Sequence, residues 1–191
     1  MKMPQLLTVA AAALMATASF AMTDAEHKAE KARIEAQYKS SKAQCKSMSG
    51  NAKDVCEEEA KGQEKVAKAE LKHRQDPSEK NRHALAKAKA DAAYEVAEEK
   101  CDDLKGNAKD VCEKEAKAEH VRALEAAKVA EARTDSSTSG TAKAAHVSEV
   151  RKDAAEKVRE ADYKAARERC DAMSGDAKDQ CVNDAKRSFG Q

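Results

Sequence analysis

The chain has 191 residues, of which 37% are charged and only 3% are aromatic. With no Trp, two Phe and three Tyr it lacks the large side chains of a wide core, so thin alanine-lined pairs of helices are favoured over a compact globule. The 36 basic residues nearly equal the 35 acidic ones, which argues against a nucleic-acid-binding protein and against simple attraction to anionic lipid.

The first 21 residues have the pattern of an export signal. Lys2 is their only charge, the stretch from Leu6 to Phe20 is apolar, and the small residues Ser19 and Ala21 stand at the minus-three and minus-one positions of a cleavage site after Ala21. The apolar run is short for a membrane span, and charged sequence follows at once. We therefore predict cleavage near Ala21, no membrane span afterwards and a periplasmic protein, with an uncleaved anchor as the alternative.

A tyrosine, a cysteine seven residues later and a second cysteine eleven residues further on recur three times. The copies are Tyr38, Cys45 and Cys56; Tyr94, Cys101 and Cys112; and Tyr163, Cys170 and Cys181. Spacings of three and four place each tyrosine and first cysteine on one helix face together with the next large apolar residue, which is Met48, Leu104 or Met173. We expect the rings to fill a seam between helices, and a repeated recognition role is the alternative.

Each cysteine pair flanks a glycine that is followed by a helix-capping residue. These pairs are Gly50-Asn51, Gly106-Asn107 and Gly175-Asp176. The glycine suits the left-handed position that ends a helix, and the next residue is a good N-cap for a second helix. The two cysteines are symmetric about this turn, so they lie at one height in an antiparallel hairpin. We predict disulfides Cys45–Cys56, Cys101–Cys112 and Cys170–Cys181, each contributing about 3 kcal/mol by loop closure.

The resulting fold class is all-α, with three disulfide-stapled antiparallel helical hairpins that are either extended or loosely bundled. Asp76-Pro77-Ser78-Glu79 predicts an N-cap at Asp76 and a helix that begins at Pro77, and the composition of TDSSTSGT predicts a flexible linker. The predicted helices span residues 24–48, 51–73, 77–104, 107–132, 142–173 and 176–188. The predicted domains are a signal peptide (1–21), hairpins 22–75 and 76–133, a linker (134–141) and a third hairpin (142–191).

No pattern of catalytic or metal-binding residues accompanies the repeat. Reactive dithiols and zinc sites usually have CxxC or HxxxH spacings, and neither occurs here. The histidines have no ligand spacing, and there is no nucleophile elbow, phosphate loop or HExxH motif. We therefore expect no enzyme activity, no cofactor and no metal site. Structural disulfides are favoured, and redox or metal-binding thiols are the alternative.

The pattern YxxxxxxCxxxxGNAKDVCxxEAK occurs twice, with its GNAKDVC element at Gly50–Cys56 and Gly106–Cys112, and the third copy departs from it at Asp176 and Gln180. With the apolar leader and the Ala/Lys/Glu-rich helices, the chain resembles small exported proteobacterial proteins often labelled "cell envelope biogenesis protein TolA". The resemblance implies a helical, stalk-like protein of the cell envelope. TolA proper adds a globular C-terminal domain, which we do not expect here because only a few residues follow the last hairpin.

The sequence thus predicts a non-catalytic periplasmic helical repeat protein with a structural, scaffold or stress-related role in the cell envelope. Its expected partners are envelope proteins of unknown identity rather than nucleic acid, and its oligomeric state is left open. The alternatives are a chaperone-like or ligand-binding helical module, and a thiol-based metal or redox protein.

Overall fold

The computed structural model describes residues 22–191, which form six α-helices and no strand. The helices are α1 (Asp24–Cys45), α2 (Asn51–Gln75), α3 (Glu79–Cys101), α4 (Asn107–Thr134), α5 (Gly140–Cys170) and α6 (Gly175–Phe189). The prediction of an all-α fold is confirmed. The signal peptide predicted for residues 1–21 lies outside the described residues. Within residues 22–191, no helix combines the length and apolar character that crossing a membrane requires.

The three predicted disulfides are present. They join α1 to α2, α3 to α4 and α5 to α6, with Sγ–Sγ distances of 1.98–1.99 Å and Cα–Cα distances of 5.6–5.7 Å. Their bonds are Cys45–Cys56, Cys101–Cys112 and Cys170–Cys181. The pairing selected by the symmetry of the repeat is therefore confirmed, and each hairpin is closed covalently beside its turn.

The helices form a single row. In the described part of the chain each helix packs only against the helices that precede and follow it in sequence. Neighbouring helices run antiparallel, so the three disulfide-closed turns lie side by side along one edge of the row, where α1, α3 and α5 end. We call this edge the cystine end. The two connections between hairpins, residues 76–78 and 135–139, lie along the opposite edge of the row, which we call the linker end.

Helix α2 shows why the helices form a row and do not close into a bundle. Ala60 lies in the seam with α1, beside Ile34 and Tyr38. A Cβ atom on Gly62 would lie 3.0 Å from the Cβ atom of Ala92 in α3. Residues two positions apart on an α-helix point about 200° apart. Helix α2 therefore meets its two neighbours on opposite sides, and both broad faces of the row are left without a covering helix among the described residues.

Alanine accounts for eight of the fourteen buried apolar residues of the described chain. Its small side chain lets neighbouring helices approach closely, and the seams bury few large side chains. Ion pairs cross the seams near the surface, among them Lys65–Glu95 at 2.6 Å and Arg122–Asp162 at 2.7 Å. Such exposed pairs add little stability individually. Covalent closure is therefore a large part of what holds each hairpin together.

The linker end differs in detail from the prediction. Helix α3 begins at Glu79 and not at Pro77, because the hydroxyl of Ser78 caps it by accepting a hydrogen bond from the backbone N–H of Asn81. The carboxylate of Asp76, the predicted N-cap, is occupied elsewhere: it accepts hydrogen bonds from the backbone of Ser78 at 3.2 Å and from Nδ2 of Asn81 at 2.7 Å.

The second connection is shorter than the predicted linker. It comprises residues 135–139, because α4 continues to Thr134 and α5 already begins at Gly140. The carboxylate of Asp135 accepts hydrogen bonds from the backbone and the hydroxyl of Ser137, both at 2.8 Å. These bonds fold the serine-rich segment into a compact connection.

Candidate functional site

The three turns of the cystine end share one backbone geometry. In each turn the N–H group three residues after the first cysteine donates to that cysteine's carbonyl oxygen, over 2.9–3.0 Å. A glycine then follows with a φ of +56 to +58°. For Gly50 and Gly106 the ψ angles are −155° and −146°, a conformation that residues with a side chain essentially avoid. Glycine is therefore required at this position.

These glycines stand at the start of the second helix and do not end the first one. Helices α1, α3 and α5 already end at Cys45, Cys101 and Cys170, three residues earlier than predicted. The physical reason is that the chain tightens into the hydrogen-bonded turn directly after the disulfide. The residues that were expected to extend each helix form the turn itself.

The predicted N-caps are wrong for the same reason. Asn51 and Asn107 are the first residues of α2 and α4, preceded by Gly50 and Gly106, and no side chain caps either helix. Helix α6 begins at Gly175, so Asp176 also lies inside it. The amide Nδ2 of Asn107 donates to the carbonyl oxygen of Glu168 at 2.9 Å and so joins α4 to the last turn of α5.

The cystine end presents three exposed apolar side chains, which we call the apolar tips. They are Met48, Leu104 and Met173, with 46%, 41% and 46% of their surface exposed. No other large hydrophobic residue of the described chain is as exposed. The prediction that they pack on the face of the tyrosines is wrong, because the helices end before them. Two helices separate successive tips, which places them roughly 16–20 Å apart.

The two cysteines of each disulfide differ in their exposure. Cys45, Cys101 and Cys170 are completely buried, with 0% of their surface exposed. Their partners Cys56, Cys112 and Cys181 are only half-buried. The same asymmetry in all three hairpins follows from their shared geometry. No cysteine of the described chain is free.

Tyr94 lies in the seam between α3 and α4 and stacks on His120. The ring centroids are 4.4 Å apart and the planes are within 4° of parallel. The amino group of Lys117 lies 4.8 Å from the centre of the tyrosine ring, and the hydroxyl donates a hydrogen bond to Glu98. Burial, followed by this bond to a carboxylate, raises the pKa of Tyr94 to about 12.

His120 also pairs with Asp91, whose Oδ1 lies 2.8 Å from Nε2 of the imidazole. The histidine side chain is only 10% exposed. Burial on its own raises the pKa of Asp91, but hydrogen bonds from Lys87 and His120 outweigh it and hold that pKa below its usual value. The sequence analysis found no ligand spacing among the histidines and missed this cluster. Its position eight residues after Cys112, with Tyr94 seven before Cys101, gives both rings almost the same height in the hairpin.

The other two tyrosines have different surroundings. The position that His120 occupies in the second hairpin is Glu64 in the first hairpin and Phe189 in the third. Tyr38 lies in the α1–α2 seam, with the amino group of Lys42 6.0 Å from its ring centre. Tyr163 is half-buried. The repeated tyrosine therefore lacks a repeated set of partners, unlike the repeated turns.

Two further observations bear on chemistry. Within residues 22–191, no group of three or more His, Cys, Asp or Glu side chains is arranged to hold a metal ion. An open groove of about 580 Å³ runs over α1, α2 and α3, and its apolar part is formed by Val66, Ala67, Ala92 and Val96. Of all these features, only the cystine end is repeated in each hairpin.

No protein-family model, curated protein or solved structure matches the chain. The resemblance to exported Ala/Lys/Glu-rich proteins therefore stays a prediction. Fold and turns define the chain as a helical repeat protein with one disulfide in each hairpin.

Proposed function

We propose that the protein is a non-catalytic scaffold of the periplasm and that the apolar tips contact another component of the cell envelope. The observation that carries this proposal is the repetition of one exposed apolar side chain in all three turns. Single exposed hydrophobic residues are ordinary on protein surfaces. Three at equivalent positions on one end of the molecule favour a common use.

The arrangement suits weak contacts that act together. One Met or Leu side chain contributes only about 1.5–3 kcal/mol even when it is fully buried by a partner. Three such contacts on one covalently closed end strengthen each other, because binding of the first tip holds the others near their sites. Leu104 replaces methionine in the second hairpin, so the shared property is apolar character and not the thioether.

The proposed compartment has separate support. Disulfides persist in oxidising compartments such as the periplasm and are rare in the cytosol. All six cysteines are paired. Cell fractionation followed by intact mass measurement tests this part: we expect a periplasmic chain that begins at Met22 and is about 6 Da lighter than its reduced form. A cytosolic chain with free thiols would contradict it.

The contact role is tested by replacing all three apolar tips with serine: Met48→Ser, Leu104→Ser and Met173→Ser. The matched control replaces three exposed alanines in the first turn of α2, α4 and α6: Ala52→Ser, Ala108→Ser and Ala177→Ser. A photo-crosslinking residue at Ser47 reports contacts in living cells. We expect a specific cross-linked envelope component that the tip variant loses and the alanine control keeps. An unchanged cross-link in the tip variant would refute the proposal.

The groove over α1, α2 and α3 favours a second candidate, a chaperone-like module that binds apolar chain segments. Its floor of Val66, Ala67, Ala92 and Val96 is open to solvent along one broad face. The measurement is suppression of the aggregation of a model client protein, with Val66→Glu as the matched variant. Equal suppression by the wild type and the variant, or none by either, would remove this candidate.

A further inference from the structure

We propose that each disulfide is opened from one side only. Thiol–disulfide exchange enters at Cys56, Cys112 or Cys181, the second cysteine of each pair, and expels the first cysteine as the leaving thiolate. The chemical class of the reactant is a protein or small molecule that carries two neighbouring thiols. This inference is independent of the scaffold role.

Burial decides which sulfur is attacked. Exchange proceeds by attack of a thiolate on one sulfur of the disulfide, so its rate depends on access to that sulfur. The first cysteine of each pair has no exposed surface, whereas the second is half-buried. Because this difference occurs in all three hairpins, the preferred point of attack is built into the repeat.

The first cysteine is also shielded by its own helix. Its Sγ atom packs against the carbonyl oxygen four residues earlier, at 3.3 Å from Ser41, 3.2 Å from Ala97 and 3.5 Å from Ala166 in the three hairpins. The preceding helical turn thus occupies one side of the sulfur. An incoming thiolate would have to displace that turn, and it would approach the electronegative carbonyl oxygen.

In the second hairpin, the second cysteine of the pair borders an open groove. Cys112 borders an open groove of about 480 Å³ between α4 and α5, which is also lined by Arg122, Arg169 and Phe189. A thiol entering this groove reaches Cys112 without unfolding α3. The groove therefore supplies the route that the buried partner Cys101 lacks.

The chemistry proceeds in two balanced steps. The first thiolate of the reactant bonds to Sγ of Cys112, the protein disulfide breaks, and Cys101 leaves with the electron pair and takes up the proton of the reactant's second thiol, so that its S–H group can donate to the carbonyl oxygen of Ala97, 3.2 Å from Sγ. The second sulfur of the reactant, now a thiolate, attacks the mixed disulfide, and the reactant becomes a disulfide. Cys112 leaves with the electron pair and takes a proton from water, so both protein cysteines end as thiols. The Cα atoms of Cys101 and Cys112 are only 5.6 Å apart, so Cys101 stays close enough to reverse the first step. A monothiol is therefore soon expelled again, whereas a dithiol completes the reduction.

Trapping the mixed disulfide tests the direction directly. The oxidised mature chain is treated with reduced glutathione, quenched in acid at short intervals, alkylated and mapped by mass spectrometry. We expect glutathione on the second cysteine of each pair at about tenfold or greater excess over the first, as controlled access requires. Equal adducts on both cysteines, or an excess on Cys45, Cys101 and Cys170, would overturn the proposal.

Single-cysteine variants of the full chain give a second measurement. Cys101→Ser leaves Cys112 free, and Cys112→Ser leaves Cys101 free, while the other two disulfides remain as internal references. In the folded state we expect Cys112 to react with a thiol reagent about tenfold or more faster than Cys101, and at the same rate in concentrated guanidinium. Circular dichroism checks folding. Equal rates in two folded variants would refute the proposal, and if either variant is unfolded the glutathione map decides.

The dithiol step has its own measurement. Net reduction of the oxidised chain by dithiothreitol is compared with reduction by twice the concentration of glutathione, so that the thiol concentrations match. We expect dithiothreitol to be at least about tenfold more efficient, because Cys45, Cys101 and Cys170 return the monothiol adducts to the disulfide. Equal efficiency would contradict the part assigned to the buried cysteines.

Discussion

The cystine end and the linker end join consecutive helices in different ways. At the cystine end, three turns of the same geometry are each closed by a disulfide, and each contains a glycine at positive φ. At the linker end, two connections of unlike sequence are closed only by hydrogen bonds. Covalent closure thus accompanies one repeated geometry, while the two polar connections share only an aspartate that accepts hydrogen bonds from the backbone and hydroxyl of the serine two residues later.

At the linker end, several local hydrogen bonds hold each connection in place of a disulfide. Asn81 is 97% buried and donates to both the carbonyl and the carboxylate oxygen of Asp76, at 2.8 and 2.7 Å. In the other connection, the hydroxyl of Thr134 donates to Glu79 of α3, and the amino group of Lys143 donates to the carbonyl oxygen of Asp135 at 2.8 Å. These bonds hold the helix ends without any covalent link, so single substitutions there are expected to cost less than loss of a disulfide.

Removal of one disulfide has the largest expected effect. The double variant Cys101→Ala and Cys112→Ala frees a loop whose closure contributes about 3 kcal/mol. Urea unfolding of the variant and the wild type measures the loss. The equivalent double variants of the first and third hairpins serve as comparisons, because the three turns share one geometry. A free energy of unfolding that does not change would mean that the disulfides do not stabilise the fold.

A glycine of the cystine end comes next in size. Gly106→Ala is expected to lower the free energy of unfolding by about 1–3 kcal/mol, because alanine is strained at its φ of +56° and ψ of −146°. A Cβ atom there would meet no other atom within 4 Å, so the loss comes from the backbone alone. Ala108→Ser, at an exposed position two residues later in α4, is the control. Equal stability of Gly106→Ala and this control would contradict the expected strain.

At the linker end, Asn81→Ala is expected to lower the free energy of unfolding by about 1–2 kcal/mol, because it removes the two hydrogen bonds that the buried amide of Asn81 donates to Asp76. Ser137→Ala in the other connection removes an exposed hydrogen bond and is expected to cost less. Urea unfolding of both variants ranks them. A larger loss for Ser137→Ala than for Asn81→Ala would contradict the expectation that the buried hydrogen bonds of Asn81 stabilise the fold more than the exposed one of Ser137.

The last prediction concerns the effect of pH on Tyr94, in the seam between α3 and α4. Because the pKa of Tyr94 is raised to about 12, above its value of about 10 in an unfolded chain, its contribution to stability is complete below pH 10. It is lost as the pH rises from about 10 to 12. Ultraviolet titration of a chain with Tyr38→Phe and Tyr163→Phe isolates the Tyr94 hydroxyl. A midpoint near pH 10 would show that burial and Glu98 do not act on it.

The features of the fold that were predicted correctly from the sequence are those that repeat with the same spacing in all three hairpins. Cys45 and Cys56 stand at equal distances from Gly50 and Asn51, and that symmetry alone selects the bond between them. The glycine between them was likewise expected at positive φ. Spacing along the chain carries this information because a turn of fixed length sets the heights of the residues on both helices.

The end of the first helix in each hairpin was beyond this reasoning. Lys46, Ser47 and Met48 are compatible both with another helical turn and with the tight turn that is present, since local propensity does not separate the two. The result matters for the candidate site, because residues expected in a seam became the exposed apolar tips. The sequence also left open whether the helices form a row or a bundle. The small residues Ala60 and Gly62, on opposite sides of α2, are the one sequence feature that is typical of close contacts on both sides of this helix.

The cluster around His120 was missed for a different reason. Its partners Tyr94 and Asp91 lie on another helix, so no local spacing connects the three residues. Counting from the disulfide shows the link only after the pairing of the cysteines is accepted. Contacts that differ between repeats are thus the hardest to foresee, because the repeat itself hides them.

Placement of every covalent bridge at one end has a mechanical consequence. Under tension applied to its two termini, the protein would release the hairpins, but the residues between the cysteines of each pair would stay outside the path of the force. Each bridge spans a sequence separation of 11 residues, which withholds about 3 nm of chain length per hairpin. The stretched chain is therefore shorter than its residue number implies, and reduction of each bridge would lengthen it by one fixed step.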